Sequence, residues 1–458
     1  MDKQQIVVGL DIGTTKIACL IGVKDENKPG KIKIIGHGKV ASVGVVHGMV
    51  KSIPKASDSI KHAVALAAEE AKCSVTEVFV GIAGQHIKTK KNRGQVSIPE
   101  GQDFIMESDV NRLIEDQTHV MLAPGDKIIH IFPQAFFVDE EEVENHDPLG
   151  YSGNQLAADF NIVTGNETNI KNILLSVKLA GLTVKGIVLE PIASSMAVLT
   201  RDDLEAGVAL VDIGGGTTDI AIFDNGVINH THVIPVAGKT ITEDIKNGCS
   251  VLSETAERLK VQFGSCMPES VDDAVVTFPG YRGNPEREIE LRTLANIIKH
   301  RTSDIIDLVN LEIVQTGLQK HLVAGIVLTG GGSKLKDIVN YTSYKTGIST
   351  RIGTPDEHLS DFDDKKGQGI SDPIYSTGIG LVLYGIGKME EERKKDEPEP
   401  QTKDDQTIPI DILDDESDDT HKTEDTKPEK KPKKRGFGFL GFVQDWFDKI
   451  LEKGDDDI

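Results

Sequence analysis

Two short segments of the chain repeat the same order of acidic, small and hydroxyl residues. Asp11 precedes Ile-Gly-Thr-Thr-Lys (12–16), and Asp212 precedes Ile-Gly-Gly-Gly-Thr-Thr-Asp (213–219). Small residues let the backbone approach a phosphate group closely, and backbone N–H and threonine hydroxyl groups can donate to its oxygens. The candidate phosphate-binding residues are Gly13, Thr14, Thr15, Lys16, Gly214, Gly215, Gly216, Thr217 and Thr218.

The aspartates Asp11 and Asp212 stand at equivalent positions in the two segments. Two carboxylates beside a polyphosphate would repel it unless a cation lay between them. Mg²⁺ prefers oxygen ligands and keeps several of its waters when it binds a protein. The pattern therefore predicts a magnesium site that these aspartates hold largely through water. The alternative is a pair of ordinary glycine turns between hairpin strands, and the matched aspartates weigh against it.

A third glycine segment follows a later apolar run. Gly330, Gly331 and Gly332 come after Ile-Val-Leu-Thr (326–329), and a helix is predicted to begin at Leu335. A glycine turn between a strand and a helix N-terminus is a favourable place for a nucleotide. The segment matches neither the Walker A pattern nor the Rossmann glycine pattern.

The elements that must position these turns alternate between strands and helices. Both copies of the repeat follow one apolar run and precede another. This mixture favours an α/β fold with covered sheets, and the duplication indicates two similar halves that face a shared cleft. The predicted strands span 6–12, 16–23, 77–84, 207–214, 218–226 and 324–332, and the predicted helices span 56–72 and 293–315.

Composition excludes several classes of function. The 458 residues include 51 Lys and Arg against 73 Asp and Glu, a net charge of −22, which excludes nucleic acid as an expected partner. The four cysteines lack zinc-site spacing and are expected to be reduced thiols. The N-terminus does not have the pattern of a secretory signal, and no apolar run is long enough for a transmembrane helix.

The composition changes after Lys388. Residues 389–435 are rich in charged residues, Thr and Pro, and are predicted to form a disordered acidic linker that ends in a basic cluster. Residues 436–453 are predicted to form an amphipathic helix with one bulky apolar stripe. The stripe comprises Phe439, Leu440, Val443, Trp446, Phe447, Ile450 and Leu451, and the cations just upstream include Lys433, Lys434 and Arg435.

Two interpretations of this terminal helix compete. The helix could dock on a partner protein or on the folded part of the chain. Alternatively, it could lie in the interface of a membrane, because its apolar stripe can insert among lipids while the basic cluster attracts anionic headgroups. The long linker argues against docking on the chain itself, so membrane binding is the preferred interpretation.

Five segments resemble the motifs of the actin, Hsp70 and sugar-kinase superfamily. Residues 9–16 and 212–219 are similar to its two phosphate motifs, and residues 328–335 are similar to its adenosine motif. Residues 189–193 and 376–381 resemble its two inter-domain connecting helices. The resemblance implies two lobes around ATP and Mg²⁺, with Asp11 and Asp212 organising the metal and two glycines of the third segment approaching the adenosine.

The same resemblance implies roles for three further residues. Glu190 occupies the place on the connecting helix where relatives carry the group that orients the attacking water, although a Glu before Pro is often a helix cap. Glu257 and Lys260 lie in a segment that resembles the AExxK motif, whose Glu and Lys contact the ribose. The alternative for these two residues is an ordinary solvated helix face.

Within the superfamily, the chain most resembles the FtsA family of cell-division proteins. That family carries a C-terminal amphipathic helix on a linker, and an SHS2-like insert called 1C in place of actin subdomain 1B. The resemblance implies a duplicated mixed β-sheet with helices on both faces. The implied division is 1–83 and 164–197 for subdomain 1A, 84–163 for 1C, 198–237 and 301–388 for 2A, and 238–300 for 2B.

The family resemblance also implies partners and a location. FtsA proteins self-associate like actin, tether filaments of the tubulin-like FtsZ to the cytoplasmic face of the membrane at the division septum, and help recruit other division proteins. The C-terminal tail of FtsZ binds subdomain 2B in the family, and its acidic character suits basic side chains. The matching candidates in this chain are Arg287 and Arg301, for which the alternative is solvated helix charge.

Two other functions remain alternatives at the level of sequence. A sugar kinase of the same superfamily would need a separate carboxylate base, which the sequence does not reveal. An Hsp70-like chaperone would need a β-rich substrate domain after residue 388, and the remaining residues cannot supply one. Whether the chain is an enzyme stays open, because a scaffold needs ATP binding and at most slow hydrolysis.

Overall fold

The computed structural model describes residues 5–28, 30–280, 285–360 and 369–396. Its strands are β1 Ile6–Ile12, β2 Lys16–Lys24, β3 Ile32–Ala41, β4 Val45–Val46, β5 Met49–Val50, β6 Glu77–Ile82, β7 Lys88–Ser97, β8 Asp126–Val138, β9 Glu141–Glu142, β10 Gln155–Asn166, β11 Thr183–Leu189, β12 Val208–Ile213, β13 Thr218–Asp224, β14 Val227–Ile234, β15 Val275–Phe278, β16 Arg287–Glu290, β17 Gly325–Thr329 and β18 Thr350–Ile352. Its α-helices are α1 Ile53–Ala71, α2 Glu107–Gln117, α3 Glu167–Leu179, α4 Glu190–Val198, α5 Arg201–Ala206, α6 Gly238–Cys249, α7 Ser253–Phe263, α8 Leu291–Thr316, α9 Ile338–Thr346 and α10 Ser376–Asp396.

Two five-stranded sheets share one topology. The first has the order β3-β2-β1-β6-β11, and the second has the order β14-β13-β12-β17-β18. In each sheet the first three strands are antiparallel neighbours, and the last two add in parallel. The predicted duplication of a mixed sheet is thereby confirmed. The two copies of the repeated motif are the turns β1–β2 and β12–β13, which are equivalent in the two sheets.

The central strands are buried because their sequences are apolar on both faces. All six residues of β12 and six of the seven residues of β1 are buried. Helices cover both faces of sheets that contain parallel strands, so such strands lack a polar alternation. The edge strand β3, by contrast, mixes buried and more exposed positions. Continuous burial is thus a feature of the strands inside the sheets.

Helix α1 packs closely on the edge of the first sheet. It begins at Ile53 with a proline in its first turn and ends at Ala71. The residue that caps its C-terminus, Lys72, has the left-handed backbone conformation. Gly38 of β3 lies against it, since a Cβ atom there would stand 2.0 Å from the carbonyl oxygen of Ala63. Glycine is therefore required for this helix to approach the strand.

Helices α4 and α10 pack together beside the cleft and contact strands of the first sheet. Gly380 of α10 faces the backbone of α4, where an added Cβ atom would stand 1.7 Å from the carbonyl oxygen of Ala193. Helix α10 continues to Asp396, so residues 389–396, which the sequence pattern assigned to the linker, are helical. The apolar contact of Met389 with the core explains this extension.

The insert between β6 and β11 forms its own sheet in the order β7-β10-β8-β9. Helix α2 packs on β7 and β10, and a separate apolar core lies between them. The segment therefore consists of a strand, a helix and then further strands. Strand β10 leads directly into α3, where Asn166 caps the helix by accepting from the backbone N–H of Asn169.

The prediction that a helix begins at Leu335 is wrong. Residues 331–334 form a single 3-10 turn, Leu335 is extended, and α9 begins at Ile338. The chain stays extended here because Lys336 pairs with Ser265, and the carbonyl of Lys336 accepts from the N–H of Cys266. The remainder of the predicted linker and the predicted amphipathic helix, 397–453, lie outside the described residues. None of the described helices is long and apolar enough to cross a membrane.

Candidate functional site

A cleft of about 1150 Å³ lies between the two five-stranded sheets. All three glycine segments line it, together with the start of α4 and one face of α7. The repeated turns enter from opposite sides, because each joins the two antiparallel strands at the centre of its own sheet. The sequence-predicted residues that line this cleft are Asp11, Gly13, Thr14, Thr15, Lys16, Glu190, Asp212, Gly214, Gly215, Gly216, Thr217, Glu257, Lys260, Gly330, Gly331 and Gly332.

The two repeated turns have the same geometry and touch each other. A Cβ atom at Gly13 would stand 3.0 Å from the carbonyl oxygen of Lys16, and one at Gly214 would stand 3.0 Å from that of Thr217. Across the cleft, a Cβ atom at Gly215 or Gly216 would meet the side chain of Thr15 or Thr14, at 2.3 and 2.4 Å respectively. Glycine at these positions therefore lets the turns meet. Thr218, the remaining predicted residue, is fully buried and donates its hydroxyl to the carbonyl of Val236 at 2.8 Å.

Four carboxylates surround a single lysine at the floor of the cleft. Asp11 pairs with Lys16, and Asp212 accepts from the Ser194 hydroxyl at 2.9 Å. Asp219 lies directly opposite Asp212 in the β12–β13 ladder. The fourth carboxylate is Glu190, at the first residue of α4. Since one ammonium group faces four carboxylates, the floor of the cleft has an excess of negative charge.

The crowding of these groups changes their pKa values. Burial, followed by the charges of Asp11 and Asp219, holds the pKa of Glu190 well above its usual value. Burial and the charge of Asp212 raise the pKa of Asp219 to about 8. Burial also raises the pKa of Asp212, although the Ser194 hydrogen bond opposes it. For Lys16, burial is the largest single effect and lowers the pKa. The charge and hydrogen bond of Asp11, together with the charges of Asp212 and Glu190, outweigh it, so the net shift is upward.

The same carboxylates fit a divalent cation. One oxygen of Asp219, Oδ1, is buried and has no hydrogen-bond partner among the described residues, while Oδ2 accepts from Thr217 at 3.0 Å. A buried, unpaired carboxylate oxygen beside like charges is unfavourable unless a cation or bound water satisfies it. Oxygen-only donors of this kind are the set that Mg²⁺ prefers.

We expect the ligand-free protein to lose stability as pH rises from about 6 to 8. Asp219 is protonated in the folded state below pH of about 8 but ionised in the unfolded chain above pH of about 4, so the folded state binds more protons. The free energy of unfolding should then fall by about 1 kcal/mol per pH unit. Urea denaturation at pH 6, 7 and 8 measures this fall. The isosteric variant Asp219→Asn should show a flatter profile, and an unchanged slope would contradict the assignment.

The third glycine segment lies against the second. Gly330 has φ of +78°, and a Cβ atom there would stand 2.1 Å from Oδ1 of Asp212. Only glycine combines this backbone conformation with such a close approach. Ser333 fixes the turn by donating its hydroxyl to the carbonyl of Gly330 at 2.8 Å. Gly331 faces open space apart from Ile374 at 3.6 Å, so its backbone is accessible from the cleft.

Glu257 and Lys260 lie on α7 at the wall of the cleft. The Lys260 ammonium donates to the carbonyl of Gly238 at 2.9 Å, to the Thr242 hydroxyl at 2.9 Å and to Glu257 at 2.8 Å. The Glu257 side chain remains half exposed, while that of Lys260 is largely buried. The structure therefore holds both groups in one hydrogen-bonded cluster, which an ordinary solvated helix face would not require.

Several cleft residues escaped the sequence prediction. Asp219 ends the second copy of the repeated motif, and its carboxyl group beside the glycine turn was the available signal. His47 bonds the carbonyl of Gly216 at 3.0 Å, and Thr242 joins the Lys260 cluster. Ser194 holds Asp212. Neither His47 nor Ser194 belongs to a motif, so no local pattern in the sequence could identify them.

The two candidate arginines lie outside the cleft. Arg287 is exposed on β16 and donates to the carbonyl of Ser250 at 2.8 Å. Arg301 on α8 is bound by Asp244, with Nε to Oδ2 at 2.6 Å, and by Asp304 at 3.0 Å. The hydrogen bond that Arg301 donates to Asp244 raises the pKa of Arg301. An acidic ligand would therefore compete with two aspartates for Arg301, whereas the hydrogen bond of Arg287 goes to a backbone carbonyl.

Three family models match the chain. The model of the cell division protein FtsA matches residues 209–380, and the model of the SHS2 domain inserted in FtsA matches residues 84–164. The Hsp70 protein model matches residues 166–232. The SHS2 match covers the segment that forms the four-stranded insert sheet.

Curated relatives match over most of their length. The cell division protein FtsA of Pseudomonas aeruginosa is 35% identical over 388 residues, which cover 84% of this chain and 90% of the relative. That of Neisseria meningitidis serogroup B is 36% identical over 395 residues, covering 85% and 92%. That of Escherichia coli K12 is 34% identical over 393 residues, covering 83% and 90%.

Solved structures share the fold at low identity. The PilM-PilN type IV pilus biogenesis complex has a TM-score of 0.60 at 15% identity, covering 84% of this chain and 99% of that chain. MreB 5 of Spiroplasma citri bound to AMPPNP has a TM-score of 0.52 at 16% identity, covering 86% and 99%. The predicted actin-like fold with an SHS2 insert is thereby confirmed.

Proposed function

The chain belongs to the FtsA family of cell division proteins, and from that premise we propose that it is an ATP-binding membrane adaptor. In this proposal it binds ATP with Mg²⁺ in the cleft and assembles with copies of itself like actin. It tethers FtsZ filaments to the cytoplasmic face of the membrane at the division septum, and it helps recruit other division proteins.

The observation that carries nucleotide binding is the pair of matched turns above a cluster of carboxylates. Backbone N–H groups of the two turns and the ammonium of Lys16 are donors for phosphate oxygens. The carboxylates of Asp11 and Asp212, together with the unpaired oxygen of Asp219, supply the ligands for Mg²⁺ or its waters. Bound there, Mg²⁺ would offset the charge of both the carboxylates and the phosphates.

The rest of the cleft has groups for the nucleoside. Glu257 presents a half-exposed carboxylate for the ribose hydroxyls from the wall formed by α7. Lys260 lies beside it and would reach the ribose by exchanging one of its three hydrogen bonds within the protein. Gly331 leaves space for the adenosine on the opposite side of the cleft. Glu190 stands beside the metal ligands, where it can orient a water molecule. MreB 5 of Spiroplasma citri, which shares the fold, has been solved with AMPPNP.

Membrane tethering rests on the terminal sequence, outside the described residues. The apolar stripe 439–451 and the cations 433–435 combine inserted side chains with attraction to anionic lipid. For FtsZ, the exposed Arg287 is the more available of the two arginines, since Arg301 must exchange its bonds with Asp244 and Asp304. A sugar kinase or a chaperone is not favoured, because the curated relatives of this chain named above are cell division proteins.

Co-sedimentation with liposomes tests the adaptor function. We expect the full chain with Mg²⁺ and ATP to pellet with vesicles that contain anionic lipid, and to bring down a peptide of the FtsZ C-terminal tail. A truncation after Asp396 should stay in the supernatant, because it lacks the apolar stripe and the basic cluster. The truncation ends at the end of α10, since cutting earlier would remove the buried Lys388 or the core contact of Met389.

Two controls separate the parts of this proposal. Zwitterionic vesicles should recover less of the full chain, because the basic cluster then lacks its attraction. The variant Arg287→Ala should pellet with lipid as well as the unaltered chain but recover less peptide. If the truncation pellets equally well, or the full chain remains soluble, the terminal helix does not bind membranes and the adaptor proposal fails.

A further inference from the structure

A second group of side chains, far from the cleft motifs in sequence, has the arrangement of a metal site. His230 and His232 project from one face of β14, because residues two apart in a strand point to the same side. Glu312 reaches them from α8. One ligand atom from each of the three side chains lies within 4.8 Å of the other two.

We propose that His230, His232 and Glu312 bind a divalent transition metal of the Zn²⁺ type. The two Nε2 atoms meet different oxygens of one carboxylate, with His230 to Oε2 at 2.9 Å and His232 to Oε1 at 3.6 Å. In a tetrahedral zinc site with bonds of about 2.0–2.2 Å, neighbouring ligand atoms are about 3.3 Å apart. The two observed separations lie on either side of that value.

Both histidines present the same ring nitrogen to one carboxylate. The imidazole planes are 5° apart and their centres are 6.2 Å apart, and both rings turn Nε2 towards the carboxylate of Glu312. A carboxylate that served only as the partner of one histidine would not require the second ring. No lysine or arginine among the described residues pairs with Glu312, whose side chain is only 13% exposed.

The site has room for further ligands. The His232 side chain is 44% exposed, so water can reach a bound ion and complete its coordination. Two imidazoles and one carboxylate form a donor set that suits Zn²⁺, while Mg²⁺ and Ca²⁺ prefer oxygen alone. The site therefore differs in its chemistry from the carboxylate cluster of the cleft.

Binding would tie together three parts of the molecule. Strand β14 is the edge of the second large sheet, and the insert contacts it through Gln134 to the carbonyl of Ile228 at 2.8 Å and Asn161 to that of Asn229 at 2.7 Å. A metal between β14 and α8 would fix the long helix to the strand that holds the insert. We therefore expect metal binding to raise the unfolding temperature.

Calorimetric titration of Zn²⁺ into the tag-free, metal-stripped full chain tests the proposal. We expect the double variant His230→Ala/His232→Ala to lose affinity by at least about 100-fold, because it lacks two of the three ligands. The control His62→Ala/His300→Ala also removes two histidines, both exposed, and should bind like the unaltered chain. Acidification should weaken binding, since imidazole ligates only in its neutral form.

The milder variant Glu312→Gln keeps the shape of the third ligand and removes its charge. It should bind Zn²⁺ about 10–100-fold more weakly. If the double histidine variant does not fold, this variant tests the metal site instead. Co²⁺ provides a second readout, because its visible spectrum reports nitrogen ligation in the unaltered chain and should be lost in both site variants. Equal Zn²⁺ affinity in the unaltered chain, both site variants and the control would overturn the proposal.

Discussion

Replacing Asp212 by asparagine should weaken the binding of ATP with Mg²⁺ by about 10–100-fold while making the ligand-free protein more stable. The loss follows because the side chain acts on the metal largely through water, and groups of that kind contribute this much to affinity. The gain follows because one of four crowded carboxylates loses its charge, which relieves the repulsion that raises the pKa of Glu190 and of Asp219. The asparagine oxygen can still accept from Ser194.

Calorimetry with ATP in the presence of Mg²⁺ measures the first effect, and urea denaturation without ligand measures the second. Asp224→Asn is the matched control, because Asp224 ends β13 in the same sheet, is largely buried, and lies outside the cleft beside His321. That variant should bind ATP normally. Unchanged ATP affinity in Asp212→Asn would contradict the assignment of the cleft, and lower stability would contradict the account of repulsion.

The variant Gly380→Ala should destabilise the protein by about 3 kcal/mol, near the upper end of the usual range for an overpacked core. The new methyl group would stand 1.7 Å from the carbonyl oxygen of Ala193 and 2.3 Å from its carbon. Both atoms belong to the backbone of α4, so no side chain can rotate away. The two helices would have to separate at the place where they pack beside the cleft.

The control for this variant is Gly248→Ala. Gly248 also lies in a helix, but the nearest atom to its added methyl group would be the end of the Ile297 side chain at 2.9 Å. Alanine there should be neutral or stabilising by up to about 1 kcal/mol, because it is the better helix former. The midpoints of urea-induced unfolding compare the two variants. If both shift alike, close packing of α4 on α10 does not contribute to stability as the geometry requires.

The sequence predicts the fold well where an apolar run or a helical apolar pattern is long. The strand predicted at 6–12 has those bounds in the structure, and the helix predicted at 56–72 differs from α1 by three residues at its start. Strand β1 is buried at six of its seven positions, and α1 has buried apolar residues at helical spacing, so both sequence signals are strong. The predicted helix start at Leu335 is wrong because a strand-like contact with Ser265, distant in sequence, keeps the chain extended.

The residues of the candidate site could likewise be predicted only where they form a local pattern in the sequence. The glycine and aspartate positions could be predicted, because close backbone approach requires small residues in a recurring local pattern. The position of Asp219 opposite Asp212 could not be predicted, because it depends on the register of β12 against β13. Likewise, Glu312 comes from a helix far along the chain from His230, so only the folded molecule brings them to within 2.9 Å.

The contact between the two repeated turns makes the cleft mechanically sensitive. Thr14 and Thr15 touch Gly216 and Gly215 directly, so any group that enters between the turns must push them apart. Each turn is continuous with the central strands of its own sheet, and buried strands transmit such a displacement because packed cores yield little. A group wedged between the turns would therefore rotate the two halves relative to each other, and the displacement would be largest at their outer surfaces.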